Sequence, residues 1–332
     1  MSQAASGGEG GGSAEKEAAF SAQTAGSGGS LLVDRQLTIG KIGLLYSCAT
    51  HAGNDPGGMQ KDNQDSWLVK ERMGGHGIAF FGVFDGHGYE GGKVSQEIVR
   101  KLPANITATA AFSAKDYQEA FRTAFPETNV NLKDNARIDC TLSGSTGITC
   151  LFHGDDDILV GNVGDSRCVV GGIDSAGALY TKPLSNDHKP TVDEEAERIE
   201  SSGGRITPYM YEGQPIGPSR VWLKEEDMPG LCMTRSFGDE VAASVGVIAE
   251  PELTSFKIKS TDKYLLLMSD GIFEFMEDDK VIDLVHTWQK SGATPREISR
   301  KLVREARRQW HEEEEDVVDD CTVIVIFLTK ND

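Results

Sequence analysis

Short apolar runs rich in β-branched and aromatic residues recur along this chain, at residues 42–46, 78–84, 146–152, 158–163, 167–170, 264–268 and 322–328. Runs of this length and make-up are strands, many of them buried on both faces. Between them lie helical patterns with one apolar face: Val94, Ile98 and Leu102 at fourfold spacing, and Tyr117, Ala120, Phe121, Ala124 and Phe125. Three later helices carry start signals. Thr191 with Glu194 has the spacing of a capping box, Asp278 precedes Val281, Leu284, Val285 and Trp288, and Thr294 is followed by Pro295. Gly203 is placed to end the first of these. Strands and helices come in groups, without regular β-α alternation, so the expected class is α+β, sheets covered by helices. No repeat period is visible, which argues against a solenoid.

Residues 1–30 are Gly-, Ser- and Ala-rich with few large apolar groups, and read as a flexible tail before one catalytic domain at 31–332. A formal net charge of −19 makes DNA, RNA and anionic membrane surfaces poor partners. Such a chain still binds phosphate if cations occupy its carboxylates, because the ions then set the local sign. The cysteines (Cys48, Cys140, Cys150, Cys168, Cys232, Cys321) form no C-x-x-C pair, and several lie in strand-like runs. Buried free thiols in a reducing compartment, cytoplasmic or nuclear, are expected. The longest apolar run, 323–328, is far too short to span a bilayer, and no signal-peptide core opens the sequence.

Carboxylates at strand ends carry the chemistry. In FFGVFDGHG (80–88) an apolar strand stops at Asp85, and the following glycines let backbone approach a ligand closely, making the Gly86 carbonyl a possible metal ligand. YLLLMSDG (264–271) runs likewise into Asp270. Asp319 and Asp320 precede the 322–328 strand, and the 158–163 strand leads into Gly164 and Asp165. Hard oxygen ligands converging at sheet rims suit magnesium or manganese. Spacing alone leaves this metal reading and ordinary acidic turns evenly balanced.

The chain resembles the metal-dependent PPM family of protein phosphatases, the type 2C serine/threonine enzymes. The motifs that carry the resemblance run in order: KDNQDSW (61–67), FFGVFDGHG (80–88), SGSTG (143–147), GNVGDSR (161–167), SNDHKP (185–190), ERIESSGGRI (197–206), LCMTRSFGDE (231–240), LLLMSDGIFEF (265–275) and DDCTVIV (319–325). Together they cover about residues 40–328 and are far more specific than any one of them. KxNQDS, RVWL (220–223) and PGLCMTRSFGD (229–239) look most like plant and protist members.

The resemblance implies a central sandwich of two antiparallel sheets flanked by helices, α-β-β-α, with two Mg²⁺ or Mn²⁺ ions in a cleft at one end. Asp85 would bridge both ions, the Gly86 carbonyl would bind one, and Asp270 and Asp319 the other. Asp65 would hold metal-bound waters, and Asp165 with Asp270 would make a weaker third site near Thr146. His87 would be the general acid toward the leaving seryl or threonyl oxygen. Lys61 stands where many relatives place a phosphate-clamping Arg, so it supplies charge without the bidentate fork. Gln64 replaces an acid found in many relatives, and Glu274 stands where others have Asp, which affects water placement and the third ion. Substrates would be phosphoserine and phosphothreonine proteins, and the protein is expected to be a monomer.

DHKP (187–190) and RSFGD (235–239) read as turn and loop support rather than site. Residues 208–230, with Pro215, Pro218 and Pro229, read as a loop flap beside the cleft. Arg296, Arg300, Arg304, Arg307 and Arg308 read as a solvated helix face rather than a targeting or acidic-partner patch. Two other functions stand beside the phosphatase. One is a catalytically silent phosphoprotein-binding relative, although each direct ligand position is filled. The other is a different two-metal phosphoesterase such as a nuclease, which the acidic surface disfavours.

Overall fold

The structure, a computed structural model, describes residues 33–314 and 316–331, and before them the backbone of the strands Ser21–Thr24 and Ser30–Leu31. The reading of residues 1–30 as a flexible tail falls largely outside the described residues.

Two antiparallel sheets form the centre. In the six-stranded sheet the order is Ser21–Thr24, Ser66–Lys70, Ala79–Phe84, Gly147–His153, Asp157–Val163, Glu252–Lys257. The seven-stranded sheet runs Leu179–Pro183, Arg167–Ile173, Asp262–Met268, Cys321–Lys330, Ile42–His51, Ser30–Leu31, with Arg35–Ile39 also paired to Ile42–His51. Each apolar run expected to be a strand is one.

Alternation along the strands makes the layers. Phe81 and Val83 point into the space between the sheets, where they meet Tyr46, Leu265, Leu267 and Ile324. Their neighbours Phe80 and Phe84 point outward and pack on Val94, Ile98, Leu102, Phe121 and Phe125 of the helices Gly91–Ala108 and Tyr117–Lys133. On the other sheet Leu266 and Val325 face outward against Val281, Ile282 and Val285 of Asp278–Lys290 and Ile298 and Leu302 of Pro295–Glu313. A strand buried on both faces has to be apolar at successive positions, which is why these runs do not alternate with polar residues. At about 1.5–3 kcal/mol per buried large side chain, these contacts are the main favourable term. The result is the α-β-β-α sandwich.

Three local expectations change. The Thr191/Glu194 capping box does not form: the helix is Asp193–Ser201 with Val192 at its N-cap and no side-chain cap. A turn closed by Val192 N donating to Lys189 O carries Thr191 away from that end. Helix Asp278–Lys290 begins with Asp278 in its first turn, after Glu277. The 208–230 segment is not a loop but a hairpin, Gly204–Tyr211 with Gln214–Leu223, joined by Pro229–Leu231. Its prolines are accommodated because pairing shifts register at Pro208, and Glu212 and Gly213 take the positive φ that a tight hairpin turn demands. At Thr294 a capping box with Glu297 forms, with Pro295 opening the helix.

Candidate active site

One end of the sandwich collects the strand-end carboxylates. Asp85 follows Ala79–Phe84, and its backbone is pinned on both sides by Thr146: Asp85 N donates to Thr146 Oγ1 at 3.0 Å, and Thr146 N to Asp85 O at 2.9 Å. Asp270 opens the short helix Asp270–Phe273 just after Asp262–Met268. Asp319 and Asp320 lead into Cys321–Lys330, and Asp65 directly precedes Ser66–Lys70.

The electrostatics show that these groups share one space. Burial pushes the Asp85 carboxyl far up, and the charges of Asp65, Asp270, Asp319 and Asp165 push it further. Burial likewise raises Asp270, followed by Asp319 and Asp165. Asp65 is pushed up to about 7, by burial first and then by Asp320, against hydrogen bonds from Thr322 and Ser269. Such repulsion, unrelieved, is costly.

Ammonium groups relieve part of it. Lys61 Nζ lies 2.5 Å from Asp319 Oδ1 and 3.7 Å from Asp320 Oδ2. Burial opposes the Lys61 charge, but Asp319 and Asp320 outweigh that and hold its pKa above normal. Lys189 Nζ pairs with Asp165 in the same way. Among the described residues no three His, Cys, Asp or Glu side chains close on one point as a finished metal shell. Yet buried Asp65 Oδ1 and Asp270 Oδ1 have no hydrogen-bond partner. Buried, unpartnered carboxylate oxygens among mutually repelling acids are the donor set of hard divalent cations. The residues fit such ions.

Backbone is close by. A Cβ on Gly86 would lie 2.3 Å from Gly91 O, so only glycine allows this approach, and Gly88 holds φ +82°. Gly86–His87 pairs with Gly144–Ser145, which pairs with Phe237–Gly238. This small sheet brings Asp239 to His87: the Nε2–H donates to Asp239 Oδ2 at 2.7 Å. Asp239 also accepts from Ser236 Oγ and stands in the left-handed region at φ 44°. Such backbone costs on the order of 1–3 kcal/mol in a non-glycine residue and persists where the surroundings fix it. Burial works against protonating His87, but Asp239 outweighs it and the pKa is raised. The other nitrogen, Nδ1, is buried without a partner.

Beside Lys189 a cavity of about 300 Å³ opens between the hairpin and the body, lined by Arg167, Lys189, Ser219, Cys232, Phe273 and Glu274 among others. The hairpin therefore does stand beside the cleft.

The family model of protein phosphatase 2C matches residues 55–314. This chain belongs to the protein phosphatase 2C family. Two similar relatives are "Probable protein phosphatase 2C 35" of Arabidopsis thaliana, 33% identical over 303 residues and covering 86% of this chain and 84% of that protein, and "Probable protein phosphatase 2C 72" of the same plant, 32% identical over 309 residues with 89% and 88% covered. The fold is shared with the crystal structure of serine-threonine phosphatase 2C from Toxoplasma gondii, at TM-score 0.72 and 17% identity over 91% of this chain and 100% of that one. As a protein phosphatase 2C, the chain is a metal-dependent protein serine/threonine phosphatase acting on phosphoproteins.

In this phosphatase the structure brings Asp65, Asp85, Asp165, Asp270, Asp319 and Lys61 into one electrostatic group, with Gly86 and His87 adjoining Asp85. Two residues set aside on sequence belong with them. Asp239 of RSFGD is the partner of His87, and Lys189 of DHKP is the partner of Asp165. The sequence signal was the placement of each inside a motif, but nothing in the spacing said which residue it would meet. The rest of DHKP does support loops: Asp187 grips Arg167 through two hydrogen bonds, and His188 Nδ1 accepts from Gly164 N. Gln64 is structural too, its amide donating to Gly88 O at 2.7 Å and its backbone N to Asp320 Oδ2.

Proposed function

We propose that this protein phosphatase 2C hydrolyses phosphoserine and phosphothreonine esters by direct attack of water, using two divalent cations, Mg²⁺ or Mn²⁺. Asp85 would bridge them, the Gly86 carbonyl would bind one, and Asp270 and Asp319 the other, with Asp65 holding waters and Asp165 with Asp270 a weaker third ion. When bound, the ions supply positive charge for the phosphoryl oxygens and lower the pKa of the attacking water. The observation that carries this reading is the pair of buried, unpartnered oxygens on Asp65 and Asp270 within a group of mutually repelling carboxylates.

The chain's own residues do the rest. His87, charged through Asp239, keeps its Nδ1 proton free for the departing alkoxide, so the P–O bond to serine or threonine breaks as that oxygen takes the proton. Lys61 adds positive charge near Asp319, where it favours binding an anion. The Cys321 thiol is buried and its pKa is pushed far up by burial and then by Asp65 and Asp319, so thiolate is scarce there. Free cysteines support a reducing compartment, cytoplasm or nucleus, and a monomer is the oligomeric state we propose.

The test is turnover of a phosphothreonine peptide by the full chain with Mg²⁺, with Mn²⁺ and after chelation, beside DNA as substrate. Peptide hydrolysis that depends on the cation, with intact DNA, is expected. Failure to hydrolyse the peptide under any divalent cation overturns the proposal.

A further inference from the structure

Helix Pro295–Glu313 stacks Arg300, Arg304 and Arg307 along one side. With Thr50 and His51 at the end of Ile42–His51, and with Val303, they line a pocket of about 380 Å³. None of the cleft carboxylates lines it. Arg307 is half-buried, and its Nη1 donates to Ala52 O at 2.8 Å and lies 2.6 Å from His51 Nδ1. Arg300 and Arg304 are exposed, and among the described residues neither meets a carboxylate. Arg308, next along the helix, instead takes both Glu305 and Glu312.

That contrast is informative in a chain with 52 acidic residues against 33 Lys and Arg. Acids are plentiful, yet like charges are stacked at a spacing where they repel, on a concave surface and with no carboxylate counter-charge among the described residues. An anion that enters the pocket removes the repulsion and gains charge-assisted hydrogen bonds from planar guanidinium forks that match phosphoryl oxygens. The surrounding −19 charge limits what that anion is. A polyanion that reached these arginines would lie against acidic surface elsewhere, whereas one phosphoryl group would not.

We propose that His51, Arg300, Arg304 and Arg307 form a second anion site, distinct from the hydrolytic cleft, that takes a single phosphoryl group, whether free phosphate or the phosphate of a phosphorylated peptide. Its position has a consequence for the cleft. Two residues beyond His51, Gly53 N donates to Asp320 Oδ1 at 2.7 Å, and Gly53 O accepts from Lys61 N at 3.0 Å. Pocket and cleft thus share the end of one strand.

The experiment is calorimetric titration of the full chain with inorganic phosphate in excess EDTA, which removes cations that would otherwise hold phosphate in the cleft. The site predicts saturable one-to-one binding with a Kd on the order of millimolar or tighter, weakened by salt. Arg300→Gln combined with Arg304→Gln should raise Kd about tenfold or more. Both side chains are exposed and repel each other, so the melting temperature should not fall and manganese-dependent peptide turnover should stay at the wild-type value, showing that the cleft is intact. A phosphothreonine peptide titrated in the same EDTA buffer tells the sources apart. Tighter binding than inorganic phosphate marks a phosphorylated protein segment as the ligand, and equal binding marks the free anion. Absence of saturable binding by either probe, or an unchanged Kd in the double variant, overturns the site.

Discussion

His87 takes its orientation from Asp239, 152 positions further along the chain, through a 2.7 Å contact made possible by three two-residue strands. Because Asp239 acts on the reaction only through the imidazole, removing either member should impair the same proton transfer. His87→Gln should lower kcat for a phosphothreonine peptide about a hundredfold or more, and lower it much less for an aryl phosphate whose leaving group needs no proton. Asp239→Asn should show the same selectivity with a smaller loss, and the double variant should be little worse than His87→Gln alone. Equal losses on both substrates would remove His87 as the acid. Lys61→Ala should chiefly raise KM, since its charge acts on binding, and a fall in kcat alone would contradict that role. Asp85, Gly86 and Asp270 were legible in the sequence because apolar runs stop at DG there, Asp165 because a strand leads into it, and Asp319 because an acidic pair precedes a strand, whereas Asp65 and the role of His87 came only with the family resemblance. Asp239 and Lys189 were not legible. Their roles depend on which loops meet, and that is decided by pairing between distant short strands.

Among elements, the strand-to-helix turn at Asp270 and the helix Asp193–Ser201 make testable demands. A Cβ on Gly271 would lie 2.0 Å from the backbone oxygen of Asp320, so Gly271→Ala forces two cleft segments apart. It should destabilise the fold by about 1–3 kcal/mol in chemical denaturation, and an unchanged midpoint would contradict the packing. In the helix, buried Glu195 takes Arg198, Arg235 and Thr234. Burial alone would raise its pKa, but hydrogen bonds from Arg198 and Arg235 outweigh it and hold the carboxyl well below the usual range. A depressed folded-state pKa contributes stability that is complete above the unfolded value of about 4.3 and is lost as pH falls through the folded one. Glu195→Gln should therefore cost about 3 kcal/mol at pH 7, and the gap from wild type should narrow on acidification below about pH 4. A gap that widens in acid would contradict it. Apolar runs revealed the sandwich strands because burial on both faces leaves little room for polar residues. The 204–223 hairpin was missed because half of its residues, 209–218, are exposed, so its polar and proline-rich make-up resembles loop.

Across the whole molecule, two sheets bury their faces against each other and against helices, leaving one end where strands deliver acids faster than lysines neutralise them. On the proposed reading this arrangement lets a chain of net charge −19 handle phosphate: bound cations would reverse the sign of the cleft, while the rest of the surface would turn polyanions away. It also orders the ligands, since Asp65, Asp270, Asp319 and Asp165 all act on Asp85, whereas Asp319 lies at the half-exposed edge with 38% of its side chain accessible. The direct measurement is a manganese titration, by calorimetry and by phosphothreonine-peptide turnover in parallel, of the wild type, Asp319→Asn and Asp85→Asn. Asp319→Asn should bind manganese more weakly and regain part of its activity as manganese rises, whereas Asp85→Asn should stay nearly inactive at every concentration. Wild-type manganese affinity and turnover in Asp85→Asn would contradict the two-cation account.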